Sequence, residues 1–375
     1  MAAVLAINLE IGLGHPNYLD YVLQALKNKS PEIPLNYIEV LSQEKGLARY
    51  FWRFTEKLYC FGAQGSLGTK FYNQFRSLGR GQKIAQYFLN NTKKHICESS
   101  QVILVSHPIL AHNLTGNIWY IHGEIAAPRE CACNVTKIIV PTEATKQKLI
   151  NYGVKPDTVF TSGLLIAPDL VTSAEKSFES RLSRLKSNRP LTIGFFISGA
   201  YPKPHIQKII EGIISVSKEN FKTIVFTGIN QKKTRDFIMQ LNRKQMVISE
   251  PKSTTLFIQS KHRVDYQKRV SRLLPLLDIF VAASHEHTNW AVGLGLPMFV
   301  LFPMIGSYAM ENYLFAKERG VVYPISTITE AQNLGKIIKE FRNSGILAEM
   351  AEKGWGKLPI NGAYNTAQAI INTLN

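Results

Sequence analysis

The sequence predicts an α/β protein made of two doubly wound parallel sheets facing each other across a cleft. Three observations predict it. Short apolar, β-branched runs recur along the 375 residues with helical stretches between them. The runs fall into two series of similar βα rhythm, and a polar segment, 172–189, rich in Ser, Lys and Arg, separates them. At 45% apolar and 19% charged residues the chain can close two cores of ordinary size.

In chain order, strands are expected over 4–8, 37–41, 102–106, 118–121, 137–140 and 158–161, then over 191–197, 223–227, 254–258, 278–282 and 298–302. The expected division is a first domain over 1–170, a linker over 171–189, a second domain over 190–358, and a C-terminal helix over 359–375 packing back on the first domain. The stretch from Thr288 to Met310 carries no Lys, Arg, Asp or Glu and is long enough to span a bilayer. Gly293, Gly295, Pro297, Pro303 and Gly306 interrupt it, so a buried strand over 298–302 is the better expectation.

Forty-four Lys and Arg against 27 Asp and Glu give a formal charge of +17, so the surface attracts an anionic partner. Four cysteines, Cys60, Cys97, Cys131 and Cys133, are too few and too unevenly spaced for a disulfide framework, and Cys131-Ala132-Cys133 is too tight for a zinc knuckle. The first ten residues lack a basic stretch and reach Glu10 before an apolar core is complete, so no signal peptide is read.

Three strand ends carry small residues suited to an anion. Gly12 and Gly14 follow the first strand and precede a helix, with His15 beside them. Ser198 and Gly199 follow 191–197, and Gly228 with Asn230 follow 223–227. The same glycines also suit a plain βα turn. His107, before Pro108, ends another strand of the first half, where it either lines the cleft or is simply a turn histidine.

Gly14-His15, the block from Lys137 through Pro141-Thr142-Glu143 and Tyr152-Gly153 to Ser162-Gly163, the Thr227 to Asn230 turn, and Gly293-Leu294-Gly295-Leu296-Pro297 together resemble glycosyltransferase family 28. The resemblance implies a GT-B fold, two Rossmann-like domains around a cleft. It also implies a nucleoside-diphosphate-sugar donor, UDP-linked, on the C-terminal half and an acceptor on the N-terminal half, with inversion at the sugar. No metal or other cofactor is implied, because helix N-termini and loop N–H groups can stabilise the leaving diphosphate. His15 and His122 compete as the base that takes the acceptor's proton, and Glu124 is placed to orient or replace His122.

The donor pocket departs from the family pattern. Trp290 stands five residues before Gly295, where a ribose-binding glutamate is usual, and an indole cannot accept ribose hydrogen bonds. Ser284-His285-Glu286-His287-Thr288 precedes it, leaving His285, Glu286, His287 and Thr288 as donor-side candidates. Glu311 and Asn312 occupy a shifted version of the family's sugar-contacting segment.

Between Lys45 and Lys94 ten basic residues accompany one carboxylate, Glu56, with aromatics interleaved. A helix over 47–59 would carry Arg49, Trp52, Arg53 and Lys57 to an anionic headgroup boundary. Single-stranded nucleic acid suits the same composition, but no recognition module accompanies it. The expected protein is a cytoplasmic, membrane-peripheral enzyme moving a sugar to a lipid or lipid-linked hydroxyl. The alternatives are a catalytically divergent binding protein of the same fold, and a soluble glycosyltransferase acting on a glycan, protein or small molecule.

Overall fold

The computed structural model describes residues 3–12, 14–65, 84–96, 102–245 and 255–375. Among them two six-stranded sheets form, each wholly parallel. The first holds β1 (Val4–Asn8), β2 (Leu35–Glu39), β3 (Val102–Val105), β4 (Asn117–Ile121), β5 (Lys137–Val140) and β6 (Val159–Thr161), in the order β2-β1-β3-β4-β5-β6. The second holds β7 (Thr192–Phe196), β8 (Lys222–Gly228), β9 (Thr255–Gln259), β10 (Ile279–Ala282), β11 (Met298–Leu301) and β12 (Val322–Ile325), in the order β12-β11-β10-β7-β8-β9.

The central strands β1, β3, β10 and β11 are buried along their whole length, as β-branched runs covered on both faces must be. Strand order reverses beside β1 in one sheet and beside β7 in the other. Crevices open at such switch points, beyond the carboxyl ends of the strands. The loops after β1, β7 and β10 therefore meet in the same gap.

Three apolar clusters hold the molecule together. One lies within the first lobe around Leu5, Ile7, Trp52 and Tyr120, and one within the second around Phe195, Ile213 and Phe299. The third runs from Val4, Tyr18 and Val22 through Leu164 to Ala167 and on to Phe280, Trp290 and Met298, so the lobes share a core.

The 171–189 segment is not a bare connector. It contains the helix Ala174–Leu185, which buries Phe178, Arg181 and Leu185 against the second lobe. Arg181 donates to the carbonyls of Leu277, Leu294 and Gly295, three acceptors that let a cation sit 2% exposed. At the end of the chain the helix Gly362–Leu374 lies along the first helix, Gly14–Lys29, sharing core residues Ala363, Ala367 and Ile370 with Val22, Ala25 and Leu26. Asn28 and Lys29 donate to Tyr364 and Gln368 across that contact.

Thr288 to Met310 divides into a short helix, Thr288–Gly293, strand β11, and the start of the helix Ala309–Glu318. Among the described residues no helix is long and apolar enough to cross a membrane. Residues 46–62 of the basic segment form the helix Gly46–Gly62. Lys70, Arg76, Arg80, Lys83, Phe71, Tyr72, Phe75 and Cys97 lie outside the described residues.

Candidate active site in the interlobe cleft

A cavity of about 560 Å³ opens between the lobes. The first lobe contributes Gly12, Gly14, His15, His107 and Glu124, each from the carboxyl end of a strand. The second contributes Ser198, Gly199, Asn230, His285, Glu286 and His287, placed by β7, β8 and β10 in the same way. Four helices begin at cleft-lining loops: Gly14–Lys29, Lys203–Ser217, Gln231–Gln245 and Ala309–Glu318. Their free N–H groups and positive dipole ends favour an anion in the gap.

His15 lies in the cleft, its ring 5.2 Å from that of His107 and 5.8 Å from that of Tyr308. Glu124 and Glu286 come from opposite lobes and converge on Gly14. A Cβ at that glycine would lie 2.2 Å from Oε2 of Glu286 and 3.7 Å from Oε1 of Glu124, so a side chain there would have to displace the Glu286 carboxyl group. Burial pushes Glu124 up to about 7, opposed by hydrogen bonds from Asn312 and Tyr18. Burial and the Glu124 charge push Glu286 up to about 8, opposed by the Arg263 guanidinium. The arrangement can hold and move protons near neutral pH.

Two sequence expectations are corrected here. His122 is fully buried and does not line the cleft: its Nε2 donates to the Ala126 carbonyl at 3.0 Å, and its Nδ1 lies 3.2 Å from the Tyr120 hydroxyl. Burial lowers it to about 4, and with both ring nitrogens engaged inside the lobe it cannot reach an acceptor hydroxyl in the cleft. Trp52 is 0% exposed, and its indole N–H donates to the Phe88 carbonyl at 2.8 Å. It supports the cleft wall from within the lobe and cannot reach a bilayer.

Four donor-side candidates also stand apart from the cavity lining. Asn312 is buried and donates to Oε2 of Glu124 at 2.7 Å while accepting from the Ala126 N–H, so it orients the carboxylate instead of facing a sugar. Glu311 pairs with Lys148 across the lobe boundary. Thr288 hydrogen-bonds Ser284 at 3.2 Å, and Gly228, at φ +81°, shapes the turn that presents Asn230. Arg49, Arg53 and Lys57 are exposed on the outer face of the helix Gly46–Gly62.

Trp290 is 6% exposed and packs against Phe196 and His287, while Glu286, one turn earlier, is the acid that enters the cleft. Burial holds His285 near 4 and His287 near 3, so both are neutral.

Sequence reasoning passed over Lys233, Tyr201 and Arg263. Lys233 lines the cavity, donates to the Ala200 carbonyl at 3.1 Å and sits 5.6 Å above the Tyr201 ring. Its signal was legible in the run after Asn230. Tyr201 adopts φ +55°, held by its hydroxyl, which donates to the Thr227 carbonyl and accepts from the Thr234 hydroxyl. Arg263 reaches across the lobes to Glu10 at 2.9 Å, to Asn17 and to Asp20. Among the described residues no group of three or more His, Cys, Asp or Glu side chains could hold a metal ion.

Solved structures share this architecture along the whole chain. A Listeria monocytogenes protein assigned as a UDP-N-acetylglucosamine 2-epimerase is similar with a TM-score of 0.61 at 14% identity, covering 99% of this chain and 95% of its own. The S. aureus protein MnaA in its UDP co-structure gives 0.59 at 11% identity, with 99% and 95% covered. The UDP-GlcNAc 2-epimerase of Neisseria meningitidis bound to UDP-GlcNAc gives 0.53 at 14%, with 99% of each chain covered.

The fold is GT-B.

No protein-family model matches the sequence, and no curated protein does. At these identities the likeness is one of fold, and within the GT-B architecture the chemistry has to be argued from the cleft itself.

Proposed function

We propose that this GT-B protein is an inverting glycosyltransferase of the family 28 type, moving a sugar from a UDP-linked donor to a hydroxyl of a lipid or lipid-linked acceptor at an anionic membrane surface. One observation carries the reading: the two walls of the cleft differ in kind. The second-lobe wall offers loop N–H groups at three helix starts together with Lys233, which suits a diphosphate. The first-lobe wall includes the helix Gly46–Gly62, whose Phe51, Phe54, Leu58 and Tyr59 line the cavity. That apolar strip leads outward to exposed Leu47, Tyr50 and Phe61, flanked by Arg49, Arg53 and Lys57. An acyl chain or prenyl group suits such a strip, and the cations suit its headgroups.

In this reading the acceptor hydroxyl attacks the anomeric carbon as the bond to the diphosphate breaks. The leaving charge falls toward the helix starts and Lys233. The hydroxyl proton passes to His15 or Glu124, two of the bases that face the cleft from the acceptor lobe. UDP is favoured as the nucleotide by its presence in two of the similar structures.

The test is incubation with radiolabelled UDP-glucose, UDP-galactose or UDP-N-acetylglucosamine and anionic vesicles containing a total lipid extract. Label entering the organic phase, lost in His15→Ala, is the expected result. UDP-sugar binding with no label transferred to lipid would overturn the lipid acceptor.

A second reading, a UDP-sugar 2-epimerase, is favoured by the meeting of Glu124 and Glu286 from opposite lobes, since epimerisation needs proton acceptors and donors around one carbon. The similar N. meningitidis protein, a UDP-GlcNAc 2-epimerase, supports it also. The same incubation distinguishes it, because an epimerase interconverts the nucleotide-sugar without an acceptor.

A further inference from the structure

Glu286 lines the gap that the proposed donor's diphosphate has to enter. Its carboxylate stands directly in front of Gly14, the first residue of the helix Gly14–Lys29, with Glu124 beside it. Glu10, Glu56 and Glu130 also line the cavity, against one lysine, Lys233. A diphosphate entering this gap meets an anion already lodged at the dipole end of the first helix.

We propose that the nucleotide-sugar enters the cleft together with a proton, which neutralises Glu286 so that the diphosphate can share the gap with it. The inference rests on the nucleotide-sugar reading above and adds a control on that site. The groups facing Glu286 make a proton the cheapest way to remove its charge. Glu124, Tyr18 and Tyr21 face it from the first lobe, and none of these is a cation. From the second lobe it is faced by Tyr266, by His287 with Nε2 at 3.9 Å, and by Arg263. His287 is held neutral by burial, and Arg263 is already committed to Glu10 and Asp20.

Burial already holds both acids close to neutral pH, Glu124 near 7 and Glu286 near 8, so an added anion need only tip the balance. Below pH 7 Glu286 is protonated before the donor arrives, and binding is insensitive to pH. Above pH 8 the proton has to be taken up on binding, and affinity falls as pH rises.

Calorimetric titration with UDP-N-acetylglucosamine, whose diphosphate is esterified at both ends, tests this between pH 6 and 9 in buffers of differing ionisation enthalpy. The expected result is close to one proton taken up per donor at pH 8.5 and close to none at pH 6, with affinity weakening up to about tenfold per pH unit above 8. Glu286→Gln, of the same shape, should bind more tightly than the wild type at pH 8.5 with little dependence on pH. Glu124→Gln should move the uptake to lower pH, because the charge that raises Glu286 is gone. Binding by the wild type with unchanged affinity and no proton uptake across the range overturns this inference alone. Absence of binding by all three proteins at every pH overturns the nucleotide-sugar reading as well.

Discussion

Glu286 holds its proton in the folded chain well beyond the pH at which an exposed glutamate ionises, and the difference has a sign. The folded value, about 8, lies above the ordinary 4.5, so the folded state binds more protons in between and stability falls as pH rises across that window. Glu286→Gln should therefore melt at least roughly 2 °C higher than the wild type at pH 8.5 and alike at pH 4.5, read by circular dichroism. Equal melting at both pH values would mean that the acid is not under strain. His122 has the opposite sign: its value of about 4 lies below the ordinary 6.5, so its contribution is present above pH 6.5 and is lost as pH falls toward 4. Replacing it with alanine should cost about 2–3 kcal/mol in urea denaturation, because the Ala126 carbonyl loses its donor and a cavity opens. UDP-sugar affinity of the folded fraction should stay the same, and a large loss of affinity would return His122 to the site. His15 and Glu124 were legible as cleft residues because both follow strands at the carboxyl edge. His122 follows the same strand as Glu124, and only the backbone beyond it, folding Ala126 over the ring, decides that it turns inward. The meeting of Glu286 with Gly14 spans both lobes, and no local pattern encodes it.

The helix Gly46–Gly62 separates two kinds of aromatic residue that look alike in sequence. Trp52 is fully buried with its N–H bonded, whereas Phe54, two positions on, is 64% exposed at the cleft edge. Trp52→Ala should cost about 3–5 kcal/mol of stability. Phe54→Ala should change stability by no more than about 0.5 kcal/mol while weakening sedimentation with anionic vesicles, as should joint neutralisation of Arg49, Arg53 and Lys57. Unchanged sedimentation in both variants would remove this helix as the membrane face. Elements were read unevenly for physical reasons. The strands buried on both faces, such as β3 and β11, match their apolar runs within a residue. Strand β12, Val322–Ile325, was not foreseen, because Val-Tyr-Pro-Ile contains a proline and is tolerated only as the edge strand it is. Residues 37–41 were expected to be a single strand, but β2 ends at Glu39, whose carboxylate accepts from the Ser42 N–H and starts a helical turn at Val40.

At the scale of the whole molecule the two lobes are tied by polar contacts as well as by the shared apolar cluster. Arg263 links the second lobe to Glu10, Asn17 and Asp20 of the first, and Asn289 donates to the Gly123 carbonyl at 3.0 Å. Arg263→Ala should cost about 1–3 kcal/mol, discounted for the partial exposure of its two acids, and should raise the radius of gyration in small-angle scattering as the cleft widens. An unaltered radius would mean that the apolar cluster alone sets the closure. The helix Gly362–Leu374 adds a constraint of another kind, since it covers the first helix of the opposite lobe. During synthesis the ribosome delivers Val22, Ala25 and Leu26 more than three hundred residues before the surface that shelters them. The nascent first lobe must wait with an uncovered flank, open to chaperones, until that helix has been made.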